Sequence, residues 1–447
     1  MKGTYLIRTF GCQMNEHDSE RIGGVLMADG MTPTDDPGDA SVIVLNTCAI
    51  RENADNKLYG NLGHLKPVKD RNPSLRIVVA GCLAQKDQGT IQRKAPWVDV
   101  VVGTHALPQL LDLLKRSDAE GPQMDVREYT EIFPSALPAA RAQDFRAWVS
   151  IATGCDNACT FCIVPFVRGV QRSRAIGDVL AEVQRLAADG VVEVTLLGQN
   201  VNTYGRDLSI PGSARAPLFA ELLRMVDQVD GIERIRFTSP HPHDFTPDVI
   251  EAMADSDNVC EHIHFPLQSG SDRVLKSMRR SYRRDRYLGW LDRIRAAIPD
   301  IAVSTDIIVG FPGETEEDFT ETLDVVERAR FDSAYTFQYS PRPGTRAATM
   351  PDQVPKEIVQ ERFDRLVALQ TEITAERNRS QVGRVVEVLV EGEGKREGST
   401  QARTRTNRIV HLREPLDPGT FVKAEITDAG AHHLFGRVVP ERQPIAV

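Results

Sequence analysis

Residues 154–162 read Gly-Cys-Asp-Asn-Ala-Cys-Thr-Phe-Cys and place three cysteines, Cys155, Cys159 and Cys162, within eight positions. A C-x3-C-x2-C run offers three thiolates to one small inorganic centre and cannot offer a fourth. A 4Fe-4S cube held by three thiolates keeps one iron open for a ligand that is not part of the protein. The spacing therefore predicts a 4Fe-4S cluster with one reactive iron.

Other uses of clustered cysteines fit this stretch less well. Structural zinc needs a fourth ligand, and neither a histidine nor a second cysteine pair lies nearby in the sequence. A disulfide framework is typical of short secreted chains, whereas this chain has 447 residues, seven cysteines and no charged-then-apolar signal at its start. Buried structural thiols are the third interpretation. Reduced thiolates in a cytoplasmic protein agree best with the cluster.

Three further cysteines each follow a segment typical of a buried strand. The segments are 4–10 before Cys12, 42–47 before Cys48 and 76–81 before Cys82, with helical stretches at 17–29, 52–66 and 84–94. Strands that alternate with helices form a parallel sheet, and their carboxyl ends meet at one edge. We therefore expect a second three-thiolate cluster there. The alternative is that each is a small apolar core residue, the role expected for the isolated Cys260.

A second alternation of strands and helices begins before the 154–162 stretch. The predicted strands are 147–152, 192–198, 234–239, 262–266, 302–309 and 334–340, and the predicted helices are 176–189, 216–229, 246–254, 271–298 and 315–329. Six β/α repeats fit a partial TIM-like barrel, whose functional residues lie in the loops after the strands. The cysteine stretch follows the first strand, as that rule requires.

The last part of the chain has a different pattern. A long amphipathic helix over 355–378 precedes short strands separated by turns, which predict a small OB-like β-barrel, a shape often used to hold oligonucleotides. The predicted fold class is therefore α/β, with an N-terminal parallel sheet, a central partial (β/α)6 barrel and a C-terminal β-barrel. The predicted bounds are 1–118 for the first domain, 119–143 for a linker, 144–375 for the barrel and 376–445 for the last domain.

The charge distribution limits the possible partners. A formal net charge of -9 gives no global attraction to a polyanion, so phosphate contacts depend on local basic runs. Such runs occur after the cysteine stretch, in residues 276–286 and in the tail; their members are Arg168, Arg172, Arg174, Lys276, Arg279, Arg280, Arg283, Arg284, Arg286, Arg377, Arg379, Arg384, Lys395, Arg396, Arg403, Arg405 and Arg408. The alternative is a solvated helix face. No apolar stretch approaches the ~20 residues that span a bilayer, so no membrane association is expected.

The cysteine stretch, with aromatic Phe161 before its last cysteine, resembles the signature of radical S-adenosylmethionine (SAM) enzymes. The resemblance implies that the open iron chelates SAM and that an electron delivered through the cluster splits it to a 5′-deoxyadenosyl radical. The cofactor then supplies the chemistry and the protein positions it. By the same resemblance, Gln199 and Asn200 lie near the SAM amino group, Gln268 and Ser269 near its ribose or carboxylate, and Ile308 and Gly310 alongside adenine, with Phe161 also beside the cofactor.

The order of the three parts resembles one family along the whole chain, the methylthiotransferases, and the tail resembles a TRAM domain, an RNA-binding module. Motifs at 11–15, 154–165, 198–205, 236–242 and 337–345 are most similar to the branch that acts on N6-dimethylallyladenosine in tRNA. The resemblance implies that the Cys12, Cys48 and Cys82 cluster carries a sulfur methylated by one SAM. The barrel cluster would cleave a second SAM, and the methylthio group would pass to C2 of the adenosine beside the anticodon.

The same resemblance implies a set of partners and leaves alternatives. The expected partners are the tRNA anticodon arm, a flavodoxin-type electron donor and a sulfur source, and the chain is expected to be a cytoplasmic monomer. Val167, Gln171 and Phe265 depart from the family pattern without touching a cluster ligand. Alternatives are the branch that modifies threonylcarbamoyl-adenosine, the branch that modifies a ribosomal-protein aspartate, and a non-catalytic iron-sulfur RNA-binding protein. The complete cysteine sets and the polar strand ends disfavour the last.

Overall fold

The N-terminal domain is a six-stranded parallel sheet in the computed structural model, which describes residues 3–49, 52–128, 133–208 and 217–440. Its strands are β1 (Gly3–Phe10), β2 (Met31–Pro33), β3 (Val42–Thr47), β4 (Arg76–Ala80), β5 (Val100–Val102) and β6 (Gln123–Asp125), in the order β2-β1-β3-β4-β5-β6. Its helices are α1 (Gln13–Ala28), α2 (Glu52–Arg71), α3 (Cys82–Asp87), α4 (Gly89–Lys94) and α5 (Leu110–Glu120). Strands β3, β4 and β5 are almost continuously apolar because helices cover both faces of the sheet.

Two details differ from the expectation for this region. Residues 119–143 are not simply a linker, because β6 pairs in parallel with β5 and completes the sheet. A three-residue strand at a sheet edge is too short to show periodicity in the sequence, so composition alone suggested a loop. The single helix expected over 84–94 is two short helices that meet at Gln88, whose φ of 48° lies in the left-handed region.

The central domain is a partial barrel of parallel strands. Its main strands are β7 (Arg146–Ser150), β10 (Glu193–Leu197), β11 (Arg234–Phe237), β12 (His262–His264), β13 (Ala302–Val309) and β14 (Ser333–Gln338), and a short hairpin pairs β8 (Ala152–Thr153) with β9 (Arg172–Ser173). The strands form two sheets, β11-β10-β7 and β12-β13-β14, joined by a parallel bridge between Ile235 and Val259. This arrangement confirms the partial six-stranded barrel.

Helices connect and flank these strands. They are α6 (Val164–Arg168), α7 (Ile176–Ala188), α8 (Phe219–Asp227), α9 (Pro247–Asp255), α10 (Asp272–Ser277), α11 (Arg284–Ala297) and α12 (Glu316–Ala329). The prediction of one helix over 271–298 was wrong, because the chain breaks between α10 and α11, where Arg279 has a φ of 56°. That break turns the Arg280 side chain inward, to the position described below.

The C-terminal domain is a closed five-stranded barrel, as predicted. Its strands are β15 (Val385–Glu393), β16 (Thr400–Thr404), β17 (Ile409–Leu412), β18 (Phe421–Ala429) and β19 (Leu434–Val438), in the order β15-β16-β17-β19-β18. It follows α13 (Lys356–Arg379), whose Arg362 contacts Glu314 after β13 and whose Asn378 donates to the carbonyl oxygens of Gly430 and Ala431. Among the described residues, no helix is long and apolar enough to cross a bilayer.

Ion pairs fix the small barrel against the amino-terminal ends of the central strands. Arg405 pairs with Glu261 before β12, and Arg408 and Arg377 pair with Asp332 before β14. A further ion pair joins Arg403 to Glu391, whose carboxylate also accepts from Arg146 at the start of β7. These tail arginines were expected to bind phosphate, and the structure corrects that expectation, because their guanidinium groups are used in the interface.

Asp332 provides a test of this interface. It is buried, accepts a hydrogen bond from the Val303 backbone N–H and pairs with Arg408 and Arg377. Asp332→Ala leaves those cations without their partner, so we expect a loss of about 3 kcal/mol in the stability of the interface. Thermal unfolding followed by circular dichroism would measure it. Asp324→Ala, which removes a half-exposed carboxylate, is the control and should change little. Equal melting curves for the two variants would contradict the assigned role.

Candidate active site

The first cysteine set lies at the carboxyl edge of the N-terminal sheet. Cys12, Cys48 and Cys82 follow β1, β3 and β4, which are neighbours in the sheet. Cys48 and Cys82 are buried and Cys12 is partly exposed. Two asparagines hold the start of α1 against β3, since Asn46 donates to the Asn15 carbonyl oxygen and Asn15 donates to the Asn46 side chain. The structure thus brings the three predicted cysteines to one edge.

The surroundings of this first set favour the thiolate form of Cys12. A hydrogen bond from Cys48, helped by the positive charge of Arg168, lowers the pKa of the Cys12 thiol to about 6 against the effect of burial. Burial raises the pKa of the Cys82 thiol, and Arg168 opposes that rise. The Arg168 Nε lies 3.3 Å from the Cys82 Sγ. One guanidinium group therefore acts on two of the three sulfurs.

The second cysteine set lies in the loop between β8 and α6, at the mouth of the partial barrel. The backbone N–H of Cys155 donates to the Gly169 carbonyl oxygen at 3.1 Å, and that of Cys162 donates to Cys159 at 3.1 Å. Thr160 holds the far side of the loop through hydrogen bonds to the carbonyl oxygens of Ser277 and Met278. Hydrogen bonds therefore hold the loop from both sides.

The donors of this second set suit a cationic centre. Burial raises the pKa of Cys155 and raises that of Cys162 to about 12, and a bound metal cation would oppose both shifts. Arg280 is buried, and its Nη1 lies 3.5 Å from the Cys159 Sγ. Within the described ranges, no three Cys, His, Asp or Glu side chains converge on one metal ion. A cube differs from a single ion, because each thiolate binds a separate iron at a different corner.

Polar atoms without partners line the barrel mouth. They follow β10, β11 and β12 and are Gln199 Nε2, Asn200 Oδ1, Asn202 Oδ1, His241 Nε2 and Gln268 Oε1, each buried and without a hydrogen-bond partner in the described part of the chain. Buried polar groups are normally paired, so such a concentration marks a place where a ligand supplies the partners. The amino, carboxylate and hydroxyl groups of SAM are ligand groups of this kind.

The polar residues predicted to contact SAM differ in whether a side-chain atom is left without a hydrogen-bond partner. The side-chain oxygen Oε1 of Gln199 accepts from the Gly154 backbone N–H at 2.5 Å, and the side-chain Nδ2 of Asn200 donates to Asp244 at 2.8 Å. Gln199 Nε2 and Asn200 Oδ1 therefore stay unpaired. Gln268 has a φ of 68° and directs an unpaired oxygen inward. Ser269 is fully buried beside Thr322, which leaves Gln268 rather than Ser269 available to a ligand.

The apolar side chains of the predicted set share one small cluster. Phe161 and Ile308 pack against the same small cluster, formed by Val274, Met278 and Phe311 among others. Gly310 has a φ of 78°, and a Cβ there would collide with Val359 of α13, so the position requires glycine for packing. Apolar side chains together with unpaired polar atoms at the same end of the barrel suit a ligand with one aromatic ring and one charged end.

A cavity of about 340 Å³ adjoins the second cysteine loop. Its walls combine the loop itself with the segment after β10. The lining residues are Asp156, Asn157, Gln171, Asn200, Thr203, Arg206 and Asp207. Arg206 is held at 2.9 Å from Asp244, which also fixes Asn200. Most of these residues were missed by sequence analysis, because isolated polar residues after a strand resemble any turn.

The predicted basic runs contain both buried and exposed cations. Arg168 and Arg174 were expected to contact phosphate, but they are buried in ion pairs with Asp18 at 2.6 Å and Glu182 at 2.5 Å, which corrects that expectation. In the 276–286 run, Arg280 points to the cysteine loop, whereas the exposed cations are Lys276, Arg279, Arg283 and Arg286. Those four form an exposed basic surface around the break between α10 and α11.

Comparisons with known proteins agree with this architecture. Three family models match: Uncharacterized protein family UPF0004 over residues 4–103, Radical SAM superfamily over 149–326 and TRAM domain over 379–439. A radical S-adenosylmethionine methyltransferase from Kitasatospora setae has a similar fold, with a TM-score of 0.55 at 12% identity, over 77% of this chain and 75% of that one. The fold and the three-cysteine loop thus define a radical SAM enzyme.

Relatives that match almost the full length of this chain identify its family within the radical SAM enzymes. Proteins named tRNA-2-methylthio-N(6)-dimethylallyladenosine synthase are 56% identical in Mycobacteroides abscessus and 58% identical in Nocardia farcinica, each over 97% of this chain and 88% of the relative. The one from Acidothermus cellulolyticus is 59% identical over 97% of this chain and 87% of its own length. The chain belongs to the family of tRNA-2-methylthio-N(6)-dimethylallyladenosine synthases.

Asp318 makes the wall of the mouth sensitive to acid. Although burial opposes ionisation, hydrogen bonds from Arg273, Ser271 and Thr315 hold its pKa at about 2, below the ordinary 3.8. A depressed carboxyl pKa contributes stability above about pH 4, and the contribution is lost as pH falls toward 2. Asp318→Asn should therefore be less stable than the parent at pH 7, with the difference shrinking below about pH 4. Urea unfolding at several pH values measures this; a difference independent of pH would contradict it.

Gly154 tests the fit of the cysteine loop. Its φ is 79°, and a Cβ would overlap the carbonyl oxygens of Val170 and Gly169. Gly154→Ala should displace Cys155, so anaerobic reconstitution should load about four fewer irons per chain than the parent. Gly177→Ala, in α7 with no atom within 4 Å of the new methyl, is the matched control and should load as the parent does. Full loading of Gly154→Ala would show that the loop tolerates the change.

Proposed function

We propose that this protein adds a methylthio group to C2 of N6-dimethylallyladenosine in tRNA, next to the anticodon. The observation that carries the proposal is the pair of separate three-cysteine sets, one at the carboxyl ends of three parallel strands and one in the loop after β8, in a chain that is similar over 97% of its length to synthases of that nucleoside. One set would serve a simple radical SAM reaction. Two sets are what a sulfur-inserting reaction with two uses of SAM requires.

The residues would divide the work between two centres. Cys12, Cys48 and Cys82 would hold the first 4Fe-4S cluster, and Cys155, Cys159 and Cys162 the second. When bound, the two clusters and SAM supply one-electron cleavage of a sulfonium and a methylated sulfur for transfer. The unpaired atoms of Gln199, Asn200 and Gln268 would bind the polar end of SAM, and Phe161 and Ile308 would cover its ring.

The substrate base would enter at the same mouth. A nucleotide beside the anticodon belongs to a single-stranded loop, whose bases can be turned outward into a pocket. The cavity beside the cysteine loop has the polar lining that a purine edge and its ribose require. The exposed cations of the 276–286 run follow α10, whose end contacts the cysteine loop through Thr160, and would contact the phosphates of the anticodon arm. Lys395 and Arg396 give the C-terminal barrel an exposed basic edge.

Several parts of the proposal concern partners and location. An external sulfur source and a low-potential electron donor of the flavodoxin type would supply what the chain itself does not contain. A cytoplasmic monomer agrees with reduced cysteines and a tRNA substrate. The domain bounds proposed are 1–118 extended through β6, 144–375 and 376–445, with α13 shared between the last two.

The deciding experiment is an assay on defined substrates. Reconstituted protein, SAM and dithionite would be incubated with tRNA carrying N6-dimethylallyladenosine, with tRNA carrying threonylcarbamoyl-adenosine and with purified ribosomal proteins, followed by mass spectrometry of the products. We expect a methylthio product only from the first. Product only from another substrate would move the protein to a sister branch, and no product from any would contradict a methylthiotransferase.

The cysteine assignments have their own test. A Cys155→Ala, Cys159→Ala, Cys162→Ala variant should form no 5′-deoxyadenosine from SAM, yet keep about four irons per chain in the first cluster. Cys260→Ala is the control, since this buried cysteine precedes β12 at the end of the barrel opposite the cysteine loop, and it should keep about eight irons and full SAM cleavage. Cleavage of SAM by the triple variant would overturn the assignment of the second cluster.

A further inference from the structure

Arg168 crosses from one cysteine set to the other. It lies six residues after Cys162, at the end of α6, yet its side chain enters the N-terminal domain. Its Nε is 3.3 Å from the Cys82 Sγ and its Nη2 is 2.6 Å from Asp18 Oδ2. The residue is only 4% exposed. The loop that carries the second cysteine set thus delivers a positive charge to the first set.

The packing around α6 fixes this position. Ile163 and Val167 are buried in the core of the N-terminal domain together with Cys82 and Leu83. The Thr104 hydroxyl donates to the Val167 carbonyl oxygen at 2.7 Å and holds the helix from the sheet side. The guanidinium therefore cannot turn away from Cys82 without disturbing the domain interface.

The chemistry of such a contact is specific. Adding an electron to a cluster held by three thiolates makes a negative centre more negative. A hydrogen bond to a ligand sulfur and a nearby cation both favour the reduced state, and they are among the factors that set cluster potentials. In a buried site the effect is stronger, because little water screens the charge. Asp18 orients the Arg168 guanidinium, and the Arg168 Nε–H donates to the Cys82 Sγ.

We propose that Arg168 is a positioning residue through which the second cysteine loop raises the reduction potential of the first cluster. The inference rests on the proposed function, because it takes Cys12, Cys48 and Cys82 as ligands of that cluster. Correct folding of the second loop then becomes a condition for the electronic state of the first centre. Arg280, which reaches Cys159, contacts only the second set.

The measurement isolates the first cluster. In the background of Cys155→Ala, Cys159→Ala and Cys162→Ala, dithionite titration followed by electron paramagnetic resonance gives the potential of the first cluster alone. Arg168→Gln should keep the iron content and shift the midpoint to a more negative potential, and Arg168→Lys, which retains the charge, should shift it less. Because Arg168→Gln leaves Asp18 unpaired, the double variant Asp18→Asn/Arg168→Gln is measured as well and should show the same direction of shift.

Arg21→Gln is the matched control. Arg21 is also buried at this domain interface and pairs with Glu182 at 2.5 Å, and Glu182 keeps Arg174 when Arg21 is removed. In the Arg21→Gln variant we expect no shift in the reduction potential of the first cluster. An unchanged potential in iron-loaded Arg168→Gln, or the same shift in Arg21→Gln, would overturn the role of Arg168 and leave the proposed function intact. A parent background that binds no iron would overturn the first cluster and this role with it.

Discussion

The structure depends on a set of buried ion pairs between helix α1 and the partial barrel. Arg168 pairs with Asp18, and Arg21 pairs with Glu182, which Arg174 also contacts. Isolated buried charges are costly, and these charges are tolerated because each has a partner across the interface. Since the pairs form only when the two domains are in one relative position, they specify that position. The distance between the two cysteine sets is thereby fixed by the fold.

The barrel mouth combines rigidity with unsatisfied polar groups. Hydrogen bonds to Gly169, Ser277 and Met278 hold the cysteine loop, and Asp244 holds both Asn200 and Arg206. The atoms that remain unpaired are therefore aimed by their neighbours rather than loose. Groups organised in this way bind a ligand with little further loss of entropy, which suits a site where one reactive carbon is selected from a whole nucleotide.

The sequence predicted what depends on repeating patterns. The strands before Cys12, Cys48 and Cys82, the six-stranded partial barrel and the closed C-terminal barrel were all visible as periodic segments, and the similarity to the family supplied the chemistry. It did not predict the environments of Arg168, Arg280 or Arg405, since a basic residue in a run gives no sign of a partner, whether a carboxylate or a cysteine sulfur, more than a hundred residues away. The short strand β6 and the break between α10 and α11 were missed, because each depends on tertiary pairing rather than local pattern.

Helix α13 connects the mouth of the central barrel to the C-terminal barrel. Its 24 residues extend about 36 Å. Val359 and Arg362 near its start press on Gly310 and Glu314 at the barrel mouth, and Asn378 near its end holds the turn between β18 and β19. A helix of this length is stiff along its axis. It therefore sets the spacing between the C-terminal barrel and the rim of the mouth.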